Sequence, residues 1–545
     1  MPEISLENIS FSYSSTPLIE NVSLHVGNGE RACLIGPNGC GKTTLLRIAS
    51  GELLPEAGTA KIGEIHTKLF RLPNVEQFSG TVADYFNVAL RPLRTIATKF
   101  DEVSAYIGEG EGVTLASAQR NYDRLLAQMM SLGIWDLDNR RSQVLAGLGL
   151  ENLAGSELSR SLVTLSLGQR SRLQLAATLI MKPGVLILDE PTNHLDEDAI
   201  SFLTEVVNKW HGAVLMASHD RAFIEATASI IYDMDPVVWN ELARATGGHE
   251  IAGLYRCAGA YSYYLAEKDR ARSKHVELYA RQQTEKYRLR KHQQISGNIS
   301  RGGVRLATAE GKAKKFFADR AASTAQQRIR SDRKQLEKLA RYEVRKPRSY
   351  NLEFRFPQPA KRTGIAISAR RAGVKGRLAL ISFDLTYGEH LLITGANGSG
   401  KSTLLNWIYA GYPSQGVQSS GTIVREKSLS FVPQNLPREN DPGFTSEIWH
   451  KGIGEIGKGI LHPAMWATPI AQLSAGNRRR VQIALALATD PAVLVVDEPT
   501  NYLDLASMEA LEKALTGWGG TLVIATHDKW LINHWQGRKI RIGQK

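Results

Sequence analysis

Residues 185–196 read VLILDEPTNHLD, and residues 493–504 read VLVVDEPTNYLD. Each stretch opens on a continuous apolar run, the pattern of a strand buried on both faces of a parallel sheet. Each run ends in adjacent carboxylates, Asp189–Glu190 and Asp497–Glu498. Working outward, three more motifs recur in the same order. GPNGCGKT at 36–43 is matched by GANGSGKS at 395–402, LSLGQ at 165–169 by LSAGN at 473–477, and ASHD at 217–220 by ATHD at 525–528. The chain is therefore a tandem duplication with about 200–250 residues per unit.

The glycine-rich motif has the form GxxxxGK[ST], and in both copies it follows an apolar strand pattern and opens a helix pattern. Its glycines let the backbone curl so that successive N–H groups and the helix N-terminus face a phosphate. The first loop is Gly36, Pro37, Asn38, Gly39, Cys40, Gly41, Lys42, Thr43 and Thr44. The second is Gly395, Ala396, Asn397, Gly398, Ser399, Gly400, Lys401, Ser402 and Thr403. Lys42 and Lys401 bring a mobile positive charge to the β/γ-phosphates of ATP, and Thr43 and Ser402 offer a hydroxyl to Mg²⁺. Asp189 and Asp497 then lie beside the metal, and Glu190 and Glu498 are placed to polarise an attacking water as general bases. His219 and His527 follow further apolar strand patterns and would approach the γ-phosphate. Gln77 and Gln434 sit after strand patterns, where they could reach Mg²⁺ or the water.

LSLGQ and LSAGN each lead into an Arg-rich helix pattern, so Ser166, Gly168, Gln169, Ser474, Gly476 and Asn477 would meet a phosphate from outside. With these loops in place the chain resembles the ATP-binding cassette ATPases, whose motifs all occur twice here. The resemblance implies an α/β fold of two tandem phosphate-loop NTPase cassettes that close face to face within a monomer. ATP is then held between one cassette's phosphate loop and the other's signature loop. It also implies that Tyr13 stacks on adenine, while no such aromatic is obvious around 364–378. Two positions depart from the family pattern. Leu167 replaces a glycine, and Asn477 replaces Gln or Glu. Cys40, inside the first phosphate loop, predicts sensitivity to thiol alkylation without a catalytic role.

The net charge of +13 is local: residues 256–350 carry 25 Lys and Arg against 9 Asp and Glu. Everything outside that segment is close to neutral. The three cysteines form no CxxC pair, so neither a disulfide framework nor a zinc site is expected. The N-terminus has no signal-peptide pattern, and no apolar run approaches the roughly 20 residues that span a bilayer. A soluble cytoplasmic chain is expected.

The segments expected are a first cassette at 1–255, a linker at 256–350 and a second cassette at 351–545. The first copy is longer between Gln77 and Leu165, and two amphipathic patterns there predict a helical arm over about 81–135. In the linker, helix patterns over roughly 261–294 and 310–343 flank ISGNISRGGVR, which predicts a turn at 295–305. Phe317, Ala321, Ala325, Ile329, Leu336 and Leu339 form one apolar stripe, as in a two-helix hairpin. One-signed charge on such an arm points to nucleic acid, recognised through RNA shape and phosphate. Two cassettes, an arm and a basic hairpin together resemble the F family of ATP-binding cassette proteins, which implies action on ribosomes. In that family the tRNA exit site is entered with ATP bound and the linker reaches toward peptidyl-tRNA. The long hairpin and short C-terminus look most like the branch that protects ribosomes from antibiotics. A housekeeping translation factor of the same family and the ATPase subunit of a drug exporter are the alternatives.

Overall fold

The computed structural model describes residues 3–63, 75, 78–109, 115–155, 157–193, 195–249, 251–302, 311–347, 356, 358–396, 398–413 and 416–543. In each copy a five-stranded sheet carries the motifs at the C-terminal ends of its parallel strands. The first has the order Val185–Asp189, Ala213–Ala217, Arg31–Ile35, Ile230–Asp233, Tyr255–Ala258, the last strand antiparallel. The second has the order Leu429–Val432, Val493–Asp497, Thr521–Ala525, His390–Thr394, Arg538–Arg541, parallel throughout. The Walker-type runs are fully apolar because helices cover both faces; Val185, Leu186, Val493 and Val495 are all buried. A three-stranded antiparallel sheet lies beside each core sheet, formed by Ile4–Phe11 between Ile19–Val26 and Ala57–Ile62, and by Ile365–Val374 between Leu378–Thr386 and Ser419–Arg425.

The arm is helical, but its first pattern is two helices, Val82–Ala89 and Arg91–Glu109. Thr81 and Asp84 form a capping box that starts the first. Pro92, at the second position of the next helix, is tolerated only in a first turn and so forces the restart. Helix Leu115–Leu132 packs back on the pair, with Phe100 stacked on Tyr122 at 5.1 Å.

The linker forms two helices, Tyr261–Gly302 and Gly311–Arg341. Side-chain bonds pair Gln282 with the Tyr342 carbonyl, His292 with Asp332 and Gln293 with the Ile329 carbonyl, so the helices are antiparallel. Residues 295–302 of the turn expected at 295–305 are helical instead, because the first helix runs through Gly297 to Gly302. One interior glycine costs only about 1 kcal/mol, which a 42-residue helix absorbs. Residues 303–305 of that expected turn lie outside the described residues, as do the side chains of Phe317 and Ala321. Ala325 is buried, with Ile329, Leu336 and Leu339 half-buried beside it. At 1.5 Å per residue the longer helix spans about 60 Å. Its base is pinned to the first copy: Tyr264 Oη and Lys268 Nζ both donate to buried Asp233. Glu241 accepts the Arg345 N–H where the chain returns. Among the described residues no helix is long and apolar enough to cross a membrane.

Candidate functional site

The two phosphate loops have the same backbone. Gly36, Gly39 and Gly41 have φ of 154°, 81° and 102°, and Gly395, Gly398 and Gly400 have 154°, 81° and 99°. These left-handed values are why glycine is needed there. Each loop runs into a helix, Lys42–Ala49 or Lys401–Ala410, whose first N–H groups have no side-chain cap and face the loop. Lys42 Nζ donates to the carbonyls of Gly36 (2.9 Å) and Pro37 (3.2 Å), and Lys401 Nζ to those of Gly395 (2.7 Å) and Ala396 (3.2 Å). Asn397 lies outside the described residues.

At the end of the Walker-type strands Glu190 and Glu498 adopt left-handed φ of 46° and 50°. A non-glycine residue rarely sits there, and such strain gathers at functional positions. The matching N–H groups bond across the sheet to the carbonyls of Ala217 and Ala525, both at 2.8 Å, which fixes each turn. Around these acids the copies differ. Glu190 accepts the His219 N–H at 3.1 Å and lies 3.3 Å from His219 Nε2. Glu498 accepts the His527 N–H at 3.3 Å and the Thr526 hydroxyl at 2.9 Å, and meets His527 Nδ1 at 2.7 Å. Ser218, which matches Thr526, instead lies 3.4 Å from the Thr192 hydroxyl. Burial pushes the Glu190 carboxyl up to about 7 and the His219 imidazole down to about 4. The bond to Glu498 holds the His527 imidazole above its ordinary range.

Hard oxygen donors gather where Mg²⁺ is expected: burial pushes the Asp497 carboxyl up, partly offset by Ser402 beside it, and Thr43, Asp189 and Glu190 line one cavity in the first copy. A hydroxyl and a carboxylate per copy suit Mg²⁺, which takes few protein ligands and completes its shell with phosphate and water. Gln434 is exposed, and the carbonyls on either side of it are fastened, that of Pro433 by Arg479 and that of Asn435 by Gln482. Gln77 lies outside the described residues. Tyr13 is 65% exposed, with its hydroxyl 3.4 Å from Thr44 Oγ1, so one ring face is open beside the first loop.

Ser166 and Ser474 cap the helices Leu167–Met181 and Ala475–Ala488. In the first copy Gln169 closes a reciprocal box. Asn477 is too short to reach back and its amide turns to Met465 instead. The copies meet at Asn38 of the first phosphate loop. A Cβ at Gly476 would lie 3.9 Å from Asn38 Nδ2. The second signature loop therefore faces the first phosphate loop. On the other seam Lys529 lies 3.5 Å from Glu197.

Sequence reasoning missed the strained φ at both glutamates and the buried arginines at 221 and 479. The arginine-rich helix after LSAGN was the available signal for Arg479.

The family model described as ABC transporter matches residues 19–193 and 378–501. The chain is 32% identical to the tylosin resistance ATP-binding protein TlrC of Streptomyces fradiae, over 99% of this chain and 97% of that one. It is 26% identical to the ribosome protection protein VmlR of Bacillus subtilis (strain 168), over 99% and 86%. It is 28% identical to the ABC transporter F family member 5 of Arabidopsis thaliana, over 99% and 75%. Among solved structures, one described as RNase-L Inhibitor shares the fold with a TM-score of 0.53 at 17% identity, covering 98% of this chain and 87% of that one.

Proposed function

The chain belongs to the F branch of the ATP-binding cassette family, and from that premise we propose that it hydrolyses ATP at two composite sites and acts on the ribosome, protecting it from antibiotics. The segments are a first cassette at 1–255, a basic linker at 256–350 and a second cassette at 351–545. The reading rests on the approach of Gly476 in the second signature loop, where a Cβ would lie 3.9 Å from Asn38 Nδ2 of the first phosphate loop, as a shared nucleotide site requires.

In each site the loop N–H groups and Lys42 or Lys401 bind the phosphates. Ser474 and Gly476 close the first site, and Ser166 and Gly168 the second. Tyr13 stacks on adenine in the first. Thr43 with Asp189, and Ser402 with Asp497, would hold Mg²⁺, with Gln77 and Gln434 as further candidates; when bound it would supply positive charge to the β- and γ-phosphates. Glu190 and Glu498 orient the water and take its proton, and His219 and His527 hold those carboxylates in place. Burial that lifts Glu190 toward neutrality makes it a better proton acceptor than an exposed carboxylate.

The ribosomal part is supported by the linker, a segment with 25 basic residues against 9 acidic ones, most of them on or beside two helices of which the longer spans about 60 Å. Such a device binds polyanions through phosphate contacts and loses affinity with salt. The names of the two bacterial relatives point the same way: one is a resistance protein for tylosin, the other a ribosome protection protein.

The test is a Glu190→Gln/Glu498→Gln variant given ATP, which is expected to co-sediment with ribosomes at moderate salt and to block growth. Finding it in the supernatant refutes ribosomal action. Expression in a sensitive host is expected to raise resistance to at least one macrolide, lincosamide, streptogramin, pleuromutilin or phenicol. Unchanged susceptibility to all five classes leaves the housekeeping translation factor as the better reading.

A further inference from the structure

Among the largest side chains that the fold buries completely is an arginine at the seam between the copies. Arg221 starts the short helix that follows His219 and Asp220, and its side chain is 0% exposed. Removing a guanidinium from water costs several kcal/mol unless its charge is met. Here it is met from the other copy. Nη1 donates to Glu512 Oε2 at 2.7 Å, Nη2 donates to Glu512 Oε1, and Nη2 also donates to Asp528 Oδ2 at 2.8 Å. The Trp530 ring lies 5.7 Å away. A fork shared between two carboxylates is geometry that arginine fits and lysine does not.

Asp528 is the residue after His527, and both of its oxygens are engaged. Oδ1 accepts the N–H groups of Trp530 and Leu531, which caps the next helix, while Oδ2 takes Arg221. The loop 526–528 is thus held at one end by Glu498, through Thr526 and His527, and at the other by an arginine of the first copy. The same helix that supplies Glu512 also accepts, at Glu509 Oε1, the hydroxyl of Tyr261, the first residue of the long linker helix, at 2.8 Å.

Among the described residues the reciprocal anchor is missing. Lys529 holds the position of Arg221 and, among the described residues, pairs with Glu197 at 3.5 Å, with side chains 37% and 68% exposed. Thr204 holds the position of Glu512, and its hydroxyl is spent on the Ile200 carbonyl. On that side His219 Nδ1 is buried without a partner.

We propose that Arg221 is a positioning residue for the second ATP site, acting from the first copy. Its docking on Glu512 and Asp528 sets the loop that carries His527 and so the carboxylate of Glu498. The first site has no such anchor, so the two sites turn over unequally, and full activity of the second depends on closure of the copies. This rests on the hydrolytic role given above to Glu190 and Glu498.

The experiment separates the sites in the full chain. With Glu190→Gln silencing the first site, Arg221→Ala and Asp528→Asn are expected to lower kcat for ATP about 10- to 100-fold, as misplacement of a catalytic group does, with KM changing far less. Arg221→Lys, which cannot fork across both carboxylates, falls between. With Glu498→Gln silencing the second site, the same changes alter kcat less than about threefold, against 1.4 kcal/mol for tenfold. Asp528→Asn keeps the helix cap and so guards against a misfolded Arg221→Ala. Equal losses in both backgrounds, or none with Glu190→Gln, overturn the proposal. If neither single-site parent turns over, the catalytic reading itself is at fault. Release of labelled ATP trapped in Glu190→Gln/Glu498→Gln then decides: Arg221→Ala should speed one of two phases, and speeding both or neither overturns it.

Discussion

Replacing Arg479 with serine gives the second copy what the first has at the matching position, Ser171, and the cost can be worked from the contacts. Arg479 is 0% exposed. Nη2 donates to the carbonyls of Asp497 (2.7 Å) and Glu498 (2.8 Å), and Nη1 to Gln482 Oε1 (3.1 Å) and the Pro433 carbonyl. It thereby ties the Walker-type turn to the loop before Gln434. Four hydrogen bonds from a charged donor contribute about 1.5–2 kcal/mol each, or about 6–8 kcal/mol. Against that, burial pushes the guanidinium down to about 10, a cost of about 3 kcal/mol that disappears with the side chain. The net loss is about 3–5 kcal/mol.

Six of the nine tryptophans lie between 407 and 535, so tryptophan fluorescence in urea reports mainly on the second copy. With a slope of about 2 kcal/mol per molar urea, Arg479→Ser is expected to lower the midpoint by about 1.5–2.5 M. With Glu190→Gln present, its kcat should also fall, because the Glu498 carbonyl has lost its anchor in a strained turn. A midpoint shift under about 0.5 M with unchanged kcat would falsify the claim that this arginine supports the turn.

Two further outcomes follow from single side chains. Glu426 accepts Tyr387 Oη, the N–H groups of Ser428 and Lys427, and Arg362 Nη1, which together hold its carboxyl down to about 2. Its folded pKa is depressed, so the stabilisation is present above the ordinary carboxylate range and lost as pH falls toward about 2. Glu426→Gln should therefore melt below the parent at pH 6, and the gap in Tm should close between about pH 4.5 and 2; a constant gap refutes the assignment. Cys40 is half-buried, and burial pushes its thiol up, while Cys33 and Cys257 are fully buried and pushed up to about 12. Mass spectrometry after alkylation should find Cys40 modified first, faster at higher pH and slower with ATP present; absence of ATP protection would remove Cys40 from the nucleotide site.

What the sequence made legible was local. A phosphate loop is written in adjacent residues because the left-handed φ at Gly36, Gly39 and Gly41 is a backbone demand that only glycine meets freely. The apolar Walker-type strands and the helices of the arm and hairpin follow from periodicity in the same way. The errors were local too: Pro92 marked a helix restart that the apolar spacing alone ran through, and Gly297 looked like a turn but sits within a long helix.

What stayed hidden depends on partners far apart in the chain. Arg221 and Glu512 are 291 positions apart, and nothing in RAFIEAT distinguishes an arginine facing solvent from one buried against another copy. The left-handed φ at Glu190 and Glu498 is invisible for a related reason: it is imposed by bonds across the sheet to Ala217 and Ala525, not by the residue type. The motifs assigned above to nucleotide by proposal are nearly identical in the two copies, while the groups that brace them are not. Arg479 braces the turn at Glu498, whereas the matching Ser171 donates to the Leu167 carbonyl of its own helix, and among the described residues Arg221 has no counterpart across the opposite seam. On the proposed reading, equal motifs on unequal supports make two sites expected to bind alike and turn over differently, because the nucleotide-facing loops match while the groups that hold each glutamate do not. The place to alter one site without the other is therefore the bracing residues, not the motifs.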